Sequence, residues 1–362
     1  SCNNKASKFE NKFTLTEKGE YIIQLDSLTT YYTPSIQYHV INDQRCISFT
    51  NIYDNSIYIY SYPEGNLINR FHFKNEGPNG IGAIESHFVL NMDSIFIFDE
   101  NTRILYLTNK TSEVLKKYPL MQGFKSIVKI PDPTIYTRNP LVILGNDLYY
   151  SGIILGDSEL NPTGKLNLKT GEISFIYNYP ITYNKKETFH PYYYRIYRTF
   201  NYKRNLFVYS FPADENIYVT NHNDIDTSYY AGSKYIKKIN PVFNDWSNYS
   251  EKDKLWRINP YYGEPIYDPY RDVYYRLTDL PRTEEDYAKE TPESNDHKLH
   301  SIIILDNKFN KVGEVKLDRF KYYKYIYFVT EEGLNILKYQ RSIENENYAV
   351  YGIMKLEKIK TN

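Results

Sequence analysis

The sequence predicts an all-β chain, folded as a six-bladed β-propeller of four-stranded antiparallel blades whose ring is closed by the N-terminal strand. Three observations carry this. Short runs of alternating apolar and polar residues dominate the chain, Gly, Asn, Asp and Pro separate them, and the pattern keeps returning along the length. Period-2 alternation marks strands with distinct faces, and those separators are hairpin residues. The recurrence distance, roughly 40 to 60 residues, is that of propellers rather than short solenoids. One four-stranded sheet cannot bury both faces alone, whereas radial packing against two neighbours buries them and protects the edges. A seven-bladed ring and a pair of two-sheet sandwiches are the alternatives that the same pattern allows.

The units follow in order. Asn55–Ser61, the turn Pro63–Asn66 and Leu67–Phe73 form the first, preceded by a strand at Arg45–Thr50. Asp93–Asp99, Arg103–Thr108 and Glu113–Tyr118 form the second, and Asn146–Tyr150, Gly164–Leu168 and Gly171–Tyr177 the third. Asn205–Phe211 with Glu215–Thr220 is the fourth; Arg271–Arg276, His300–Leu305 and Val312–Leu317 are the fifth. Gly333–Lys338 with Tyr348–Met354 is the sixth, which lacks an outer strand that Lys12–Thr16 or Glu20–Leu25 can supply. Residues 12–362 are therefore one propeller domain. The best helical signal is Thr283–Glu290, with Thr283 as N-cap and acids in the first turn, inside a surface insertion at 280–297.

Composition bounds the function. The 362 residues are 41% hydrophobic and 24% charged, ordinary for a folded domain. Lys and Arg number 44, as do Asp and Glu, so no global basic excess favours nucleic acid. No apolar run approaches the ~18 residues that span a bilayer. Tyrosine is unusually frequent, 41 against 18 Phe and 2 Trp. Its ring suits a half-buried pleated surface, and the same residues could form platforms for sugars or peptides. Of the two cysteines, Cys46 lies in a strand and reads as a small buried hydrophobe. Cys2 follows a small residue and precedes a polar stretch, like the end of a bacterial lipoprotein signal, where the cysteine carries the lipid. Residues 1–11 then read as a tether.

Phe73–Gly82, with its Gly77-Pro-Asn-Gly80 turn, precedes a strand and then Asp93-Ser-Ile-Phe-Ile-Phe-Asp99. This resembles the pattern of six-bladed β-propeller lipoproteins of Bacteroides-type bacteria, TolB-like or NHL-like propellers classed as a domain of unknown function. Tyr267–Arg276 is similar to their fifth-blade motif, and with Cys2 the resemblance covers essentially the whole chain. It implies the fold and an envelope location, lipid-anchored to the inner or outer membrane and facing periplasm or surface. It assigns no catalytic residue.

The chemistry-bearing motifs are few. The seven histidines lack helical metal-ligand spacing, and there is no Gly-x-Ser-x-Gly elbow or P-loop. Gly77–Gly82 reads as a turn between blades rather than a phosphate loop. No cofactor or metal is expected. Three polar-aromatic stretches stand out, Tyr136–Asn139, Phe189–Arg198 and Leu255–Gly263, each just before a strand that opens a blade. Loops there form one face of a propeller's funnel. Their Arg138, His190, Tyr193, Arg195, Arg257 and Tyr261 suit an anionic or hydroxyl-rich ligand, and the alternative is Arg stacked on Tyr as ordinary surface packing. Two functions follow as expectations. One is an envelope binding or scaffold propeller whose partner is an envelope protein, a glycan or a small anion, acting as a monomer with membrane contact through Cys2 and no nucleic acid. The other is an envelope hydrolase or lactonase with its site at the channel mouth.

Overall fold

In the computed structural model, residues 11–41, 43–121, 131–153, 161–183, 189–240, 249–289 and 298–360 are described. They form six antiparallel sheets in a ring. Blade I comprises Ile36–Ile41, Gln44–Asn51, Ser56–Ser61 and Leu67–His72, and blade II Ser86–Asn91, Ser94–Asp99, Ile104–Thr108 and Val114–Pro119. Blade III has Asp147–Ile153, Thr163–Asn167 and Ile173–Ile176; its inner position is split between Asp132–Thr134 and Val142–Leu144, which both pair with Asp147–Ile153. Blade IV comprises Tyr197–Asn201, Leu206–Ser210, Asn216–Thr220 and Asp226–Tyr230. Blade V comprises Tyr261–Asp268, Val273–Asp279, His300–Leu305 and Lys311–Leu317. Blade VI takes Tyr322–Val329, Leu334–Lys338 and Tyr348–Lys358, and Phe13–Gln24 adds the outer strand. Both stretches proposed as the closing strand thus belong to one long strand.

Alternation explains why the blades stack. In Ser56–Ser61, Ile57 and Ile59 join the apolar cluster shared with blade II, whereas Tyr58 and Tyr60 join the cluster shared with blade VI. In Ser94–Asp99, Ile95 and Ile97 face blade I while Phe96 and Phe98 face blade III. Middle strands are therefore buried on both faces, with a different neighbour on each. Six apolar clusters fill the six blade-to-blade interfaces, so the core is a ring of seams rather than a single centre.

The same turn recurs in four blades. Asn51, Asp99, Asn201 and Asp268 each end a strand, and four residues later Asn55, Arg103, Asn205 and Asp272 adopt positive φ. The opening side chain accepts from the turn's own backbone: Asn51 Oδ1 from Tyr53 N at 3.1 Å, Asp99 Oδ1 from Asn101 N at 2.9 Å, Asp268 Oδ1 from Tyr270 N at 3.0 Å. Asx side chains bond their own backbone and tolerate the left-handed conformation, which fixes hairpin length and register.

Two buried arginines tie neighbouring blades. Arg276 of blade V donates to Ser210 Oγ at 2.9 Å and to the carbonyls of Asp214, Glu215 and Ala231 at 2.7, 2.7 and 3.1 Å. Burial lowers its pKa to about 10. Arg198 of blade IV donates to Ser151 Oγ and the Tyr149 carbonyl of blade III.

The structure differs from the sequence expectation in three places. Inner strands open every blade, helix Tyr249–Ile258 precedes blade V, and Tyr322–Val329 is the inner strand of the sixth unit beside Gly333–Lys338 and Tyr348–Met354. The Thr283 N-cap is present: its Oγ1 accepts from Asp286 N at 3.0 Å and caps Glu284–Ala288. Cys2, residues 1–10 of the tether and residues 290–297 of the insertion lie outside the described residues. Asn11 is docked on blade V, accepting through Oδ1 from Glu314 N at 3.1 Å. Segment Phe73–Gly82 joins blades I and II, where Asn55 Nδ2 donates to the Gly82 carbonyl at 2.7 Å.

Candidate functional site: a basic, aromatic cavity on the propeller axis

The first strands of neighbouring blades touch one another, those of IV and V, of VI and I, and of I and II, so they line the axis. At one end of the axis lies a cavity of about 340 Å³. Every blade contributes to it from within, or just before, its inner strand: Thr33 and Pro34 from I, Glu85 from II, Arg138 from III, Arg195 from IV, Tyr261 from V and Tyr325 from VI.

Arg138 stands on the turn that splits the inner strand of blade III. Asn139 N donates to the Tyr136 carbonyl at 2.8 Å, closing the turn. Thr137 Oγ1 then accepts from Ile36 N at 2.8 Å, so this turn reaches across the mouth to blade I. The guanidinium carbon lies 5.0 Å from the Tyr136 ring centre and 4.6 Å from that of Tyr325. Arg195 follows the 3-10 turn Pro191–Tyr194, in extended backbone, and its guanidinium lies 4.5 Å over the Tyr192 ring. Its Nε is buried with no hydrogen-bond partner among the described residues. Neither arginine has a carboxylate at ion-pair distance among the described residues. Cations over ring faces keep their N–H forks free for an incoming anion.

The aromatic wall is ordered. Trp256 and Tyr261 stack at 4.7 Å with 17° between planes, and Tyr261 Oη meets Tyr325 Oη at 3.0 Å. Lys298 Nζ donates to the Trp256 carbonyl at 2.7 Å and lies over both stacked rings. Burial lowers the Lys298 pKa to about 8, although Asp279 opposes the shift.

Beneath the wall is a buried charged network. Asp279 accepts from Lys324 Nζ and pairs with His300 Nδ1 at 2.9 Å. Burial alone would raise the Asp279 pKa, but Lys324 and His300 hold it far below the usual carboxylate range. Glu264 is fully buried, and neither carboxylate oxygen has a hydrogen-bond partner among the described residues. Burial raises its pKa, opposed by Arg138 and Lys324. Glu85 at the rim is also raised, by burial and by Glu100. Among the described residues discussed, Arg138, Arg195, Lys298 and Lys324 stand at or beneath the mouth with Asp279, Glu264 and Glu85, four basic side chains to three acidic ones.

Of the six residues singled out from sequence, Arg138, Arg195 and Tyr261 line the one cavity. His190 and Tyr193 pack behind it. His190 stacks on Trp256 at 5.5 Å and caps its 3-10 turn by accepting from Tyr192 N, while Tyr193 is fully buried with its hydroxyl on the Pro260 carbonyl at 2.7 Å. Arg257, in the last turn of helix Tyr249–Ile258, is not among the lining residues. Tyr136, Tyr192 and Trp256, from the same three polar-aromatic stretches, line the cavity as well. Tyr323 and Tyr325 had a signal too, the aromatic alternation of Tyr322–Tyr327. Glu264 and Asp279 had none: they read as ordinary strand acids. Among the described residues no three His, Cys, Asp or Glu side chains gather as a metal site.

No curated protein matches this chain. A solved member of the DUF4221 family from Bacteroides vulgatus is 23% identical, with a TM-score of 0.81 over 96% of this chain and 99% of that one. A putative exported protein from Bacteroides fragilis is 13% identical, with a TM-score of 0.58 and 97% of each chain covered. Both share the fold. The model of the domain of unknown function DUF4221 matches residues 12–316, most of the ring, and the chain belongs to that family.

Proposed function

We propose that this chain is a cell-envelope propeller that binds a small anionic ring compound, such as an acidic sugar, in its axial cavity. One observation carries the reading: Arg138 and Arg195 line one cavity, have no carboxylate at ion-pair distance among the described residues, and are framed by aromatic faces. Guanidinium forks take a carboxylate or sulfate in bidentate fashion, and rings stack on a sugar's apolar face. The envelope setting is supported by the name of the Bacteroides fragilis relative, a putative exported protein, and by Cys2 as a lipid attachment site.

Trp256 lines the cavity, so its fluorescence can report occupancy. Galacturonate is expected to shift the emission and raise the unfolding midpoint, by about 2.7 kcal/mol of stabilisation at a hundredfold excess over Kd. Galactose, which lacks the carboxylate, is expected to do neither at that concentration. If neither galacturonate nor sulfate binds, the reading is wrong. The anchor is tested separately: Cys2→Ala should move the protein from the membrane fraction to the soluble fraction of its native cells.

A further inference from the structure

The charges beneath the cavity do not balance in the way the cavity itself requires. Lys324 is committed to Asp279, which also holds His300. Of the two cations that act on Glu264, Arg138 and Lys324, Arg138 has no acid at ion-pair distance among the described residues. Glu264's own backbone N–H also favours its charged form, Asp279 repels it, and the phenols Tyr197 and Tyr327 stand near it on the inner strands of blades IV and VI. Arg138 therefore stands between two claims. It lines the cavity above, where an anion would bind, and it offsets a fully buried carboxylate below whose oxygens have no hydrogen-bond partner among the described residues.

We propose that Glu264 takes up a proton when an anion binds Arg138, so that the axial site receives its ligand as an anion together with a proton. This deepens the anion-binding reading and rests on it. The step balances simply: the proton comes from the buffer, an O–H bond forms on Glu264, and Arg138 turns its charge to the bound anion with no other bond made or broken. The physical cause is that one guanidinium cannot fully offset two anions in a water-poor setting, and a buried carboxylate without partners is neutralised at less cost than a bound anion is lost. Burial already tilts Glu264 towards its neutral form. The sign follows: the complex binds the proton more tightly than the free protein does, so affinity rises as pH falls. One linked proton allows at most about a tenfold gain per pH unit.

Sulfate is the probe, because its own charge is constant from pH 5.5 to 8.5. Calorimetry of the full chain in two buffers of different ionisation enthalpy reads the protons taken up per sulfate bound. Uptake of a fraction of a proton up to one is expected near neutrality, with affinity rising towards pH 5.5. In Glu264→Gln the uptake and the pH dependence measured below about pH 7, where Lys298 is already charged, should vanish while binding persists. Sulfate binding without uptake or pH dependence would overturn the proposal and leave the anion site standing, as would uptake unchanged in Glu264→Gln. If sulfate does not bind at any pH, the anion site falls and this inference with it. Should Glu264→Gln fail to fold, the sulfate-induced infrared difference spectrum of the wild-type protein decides: a new protonated-carboxyl band supports the proposal and its absence overturns it.

Discussion

Arg195 is where the proposed anion site is tested most directly. Its Nε is buried and has no hydrogen-bond partner among the described residues, a desolvation cost that a bound anion would relieve. Arg195→Met should weaken galacturonate by about 2 kcal/mol, roughly thirtyfold in Kd, as for a lost charge-assisted hydrogen bond. Unfolding free energy should stay within about 0.5 kcal/mol of wild type or rise, because no ion pair is broken. Loss of stability equal to the loss of affinity would make Arg195 structural. His87 is the opposite case. It is buried between blades I and II, with Ser48 Oγ at 2.7 Å from Nε2 and Thr50 Oγ1 at 2.8 Å from Nδ1. Two hydroxyls suit a neutral ring, since one can donate and the other accept. Burial lowers its pKa to about 3, and nearby His39 is lowered to about 4. A histidine depressed in the folded state contributes stability that is complete above its unfolded value near 6.5 and is lost as pH falls towards the folded value. Thermal unfolding measured from pH 7.5 to 4.5 should therefore show a falling midpoint, with His87 contributing at most about 1.4 kcal/mol per pH unit. A flat profile would show that these rings accept protons without leaving the fold.

At the scale of elements, the strand Phe13–Gln24 is the sharpest test of the closed ring. Ile23 is fully buried in the seam between blades VI and I, whereas its neighbour Ile22 points outward and is 41% exposed. Ile23→Ala should cost about 2 to 5 kcal/mol in denaturant unfolding, and Ile22→Ala about 0.5 kcal/mol or less. Equal costs would contradict the register. This strand was legible because it alternates and because the sixth unit visibly lacked an outer partner. The inner strands were not, since a strand that lines a crowded axis carries aromatics and charges on both faces, as in Tyr261–Asp268, and its period disappears. Helix Tyr249–Ile258 escaped for a related reason: it is polar along most of its length, so it gives no apolar stripe. The cavity lining was half legible. Arg138, Arg195 and Tyr261 could be picked out because the mouth of a propeller recruits the residues that precede each inner strand. His190, Tyr193 and Arg257 share that position in sequence, but His190 and Tyr193 belong to a 3-10 turn that packs them behind the wall, and Arg257, in the last turn of a helix, is not among the lining residues.

For the molecule as a whole, the two ends of the ring meet in one sheet. Phe13 pairs with Lys358 and Ile359 N donates to the Lys12 carbonyl at 2.8 Å. A circular permutant that joins these ends by a short linker and opens the exposed turn at Tyr202–Arg204 should fold with an unchanged Trp256 emission and galacturonate response. Loss of the response in a folded permutant would mean that blade IV needs an unbroken chain to hold Arg195. The same pairing has a mechanical consequence. Because the first residue of the opening strand lies beside the last residue of the closing strand, force applied across the two ends does not shear that ladder. It peels it from the tip, breaking rungs one pair at a time. The closure that resists heat through buried seams would thus yield at low load, and in an optical trap blade VI should open first, as a short, reversible step well before the other five.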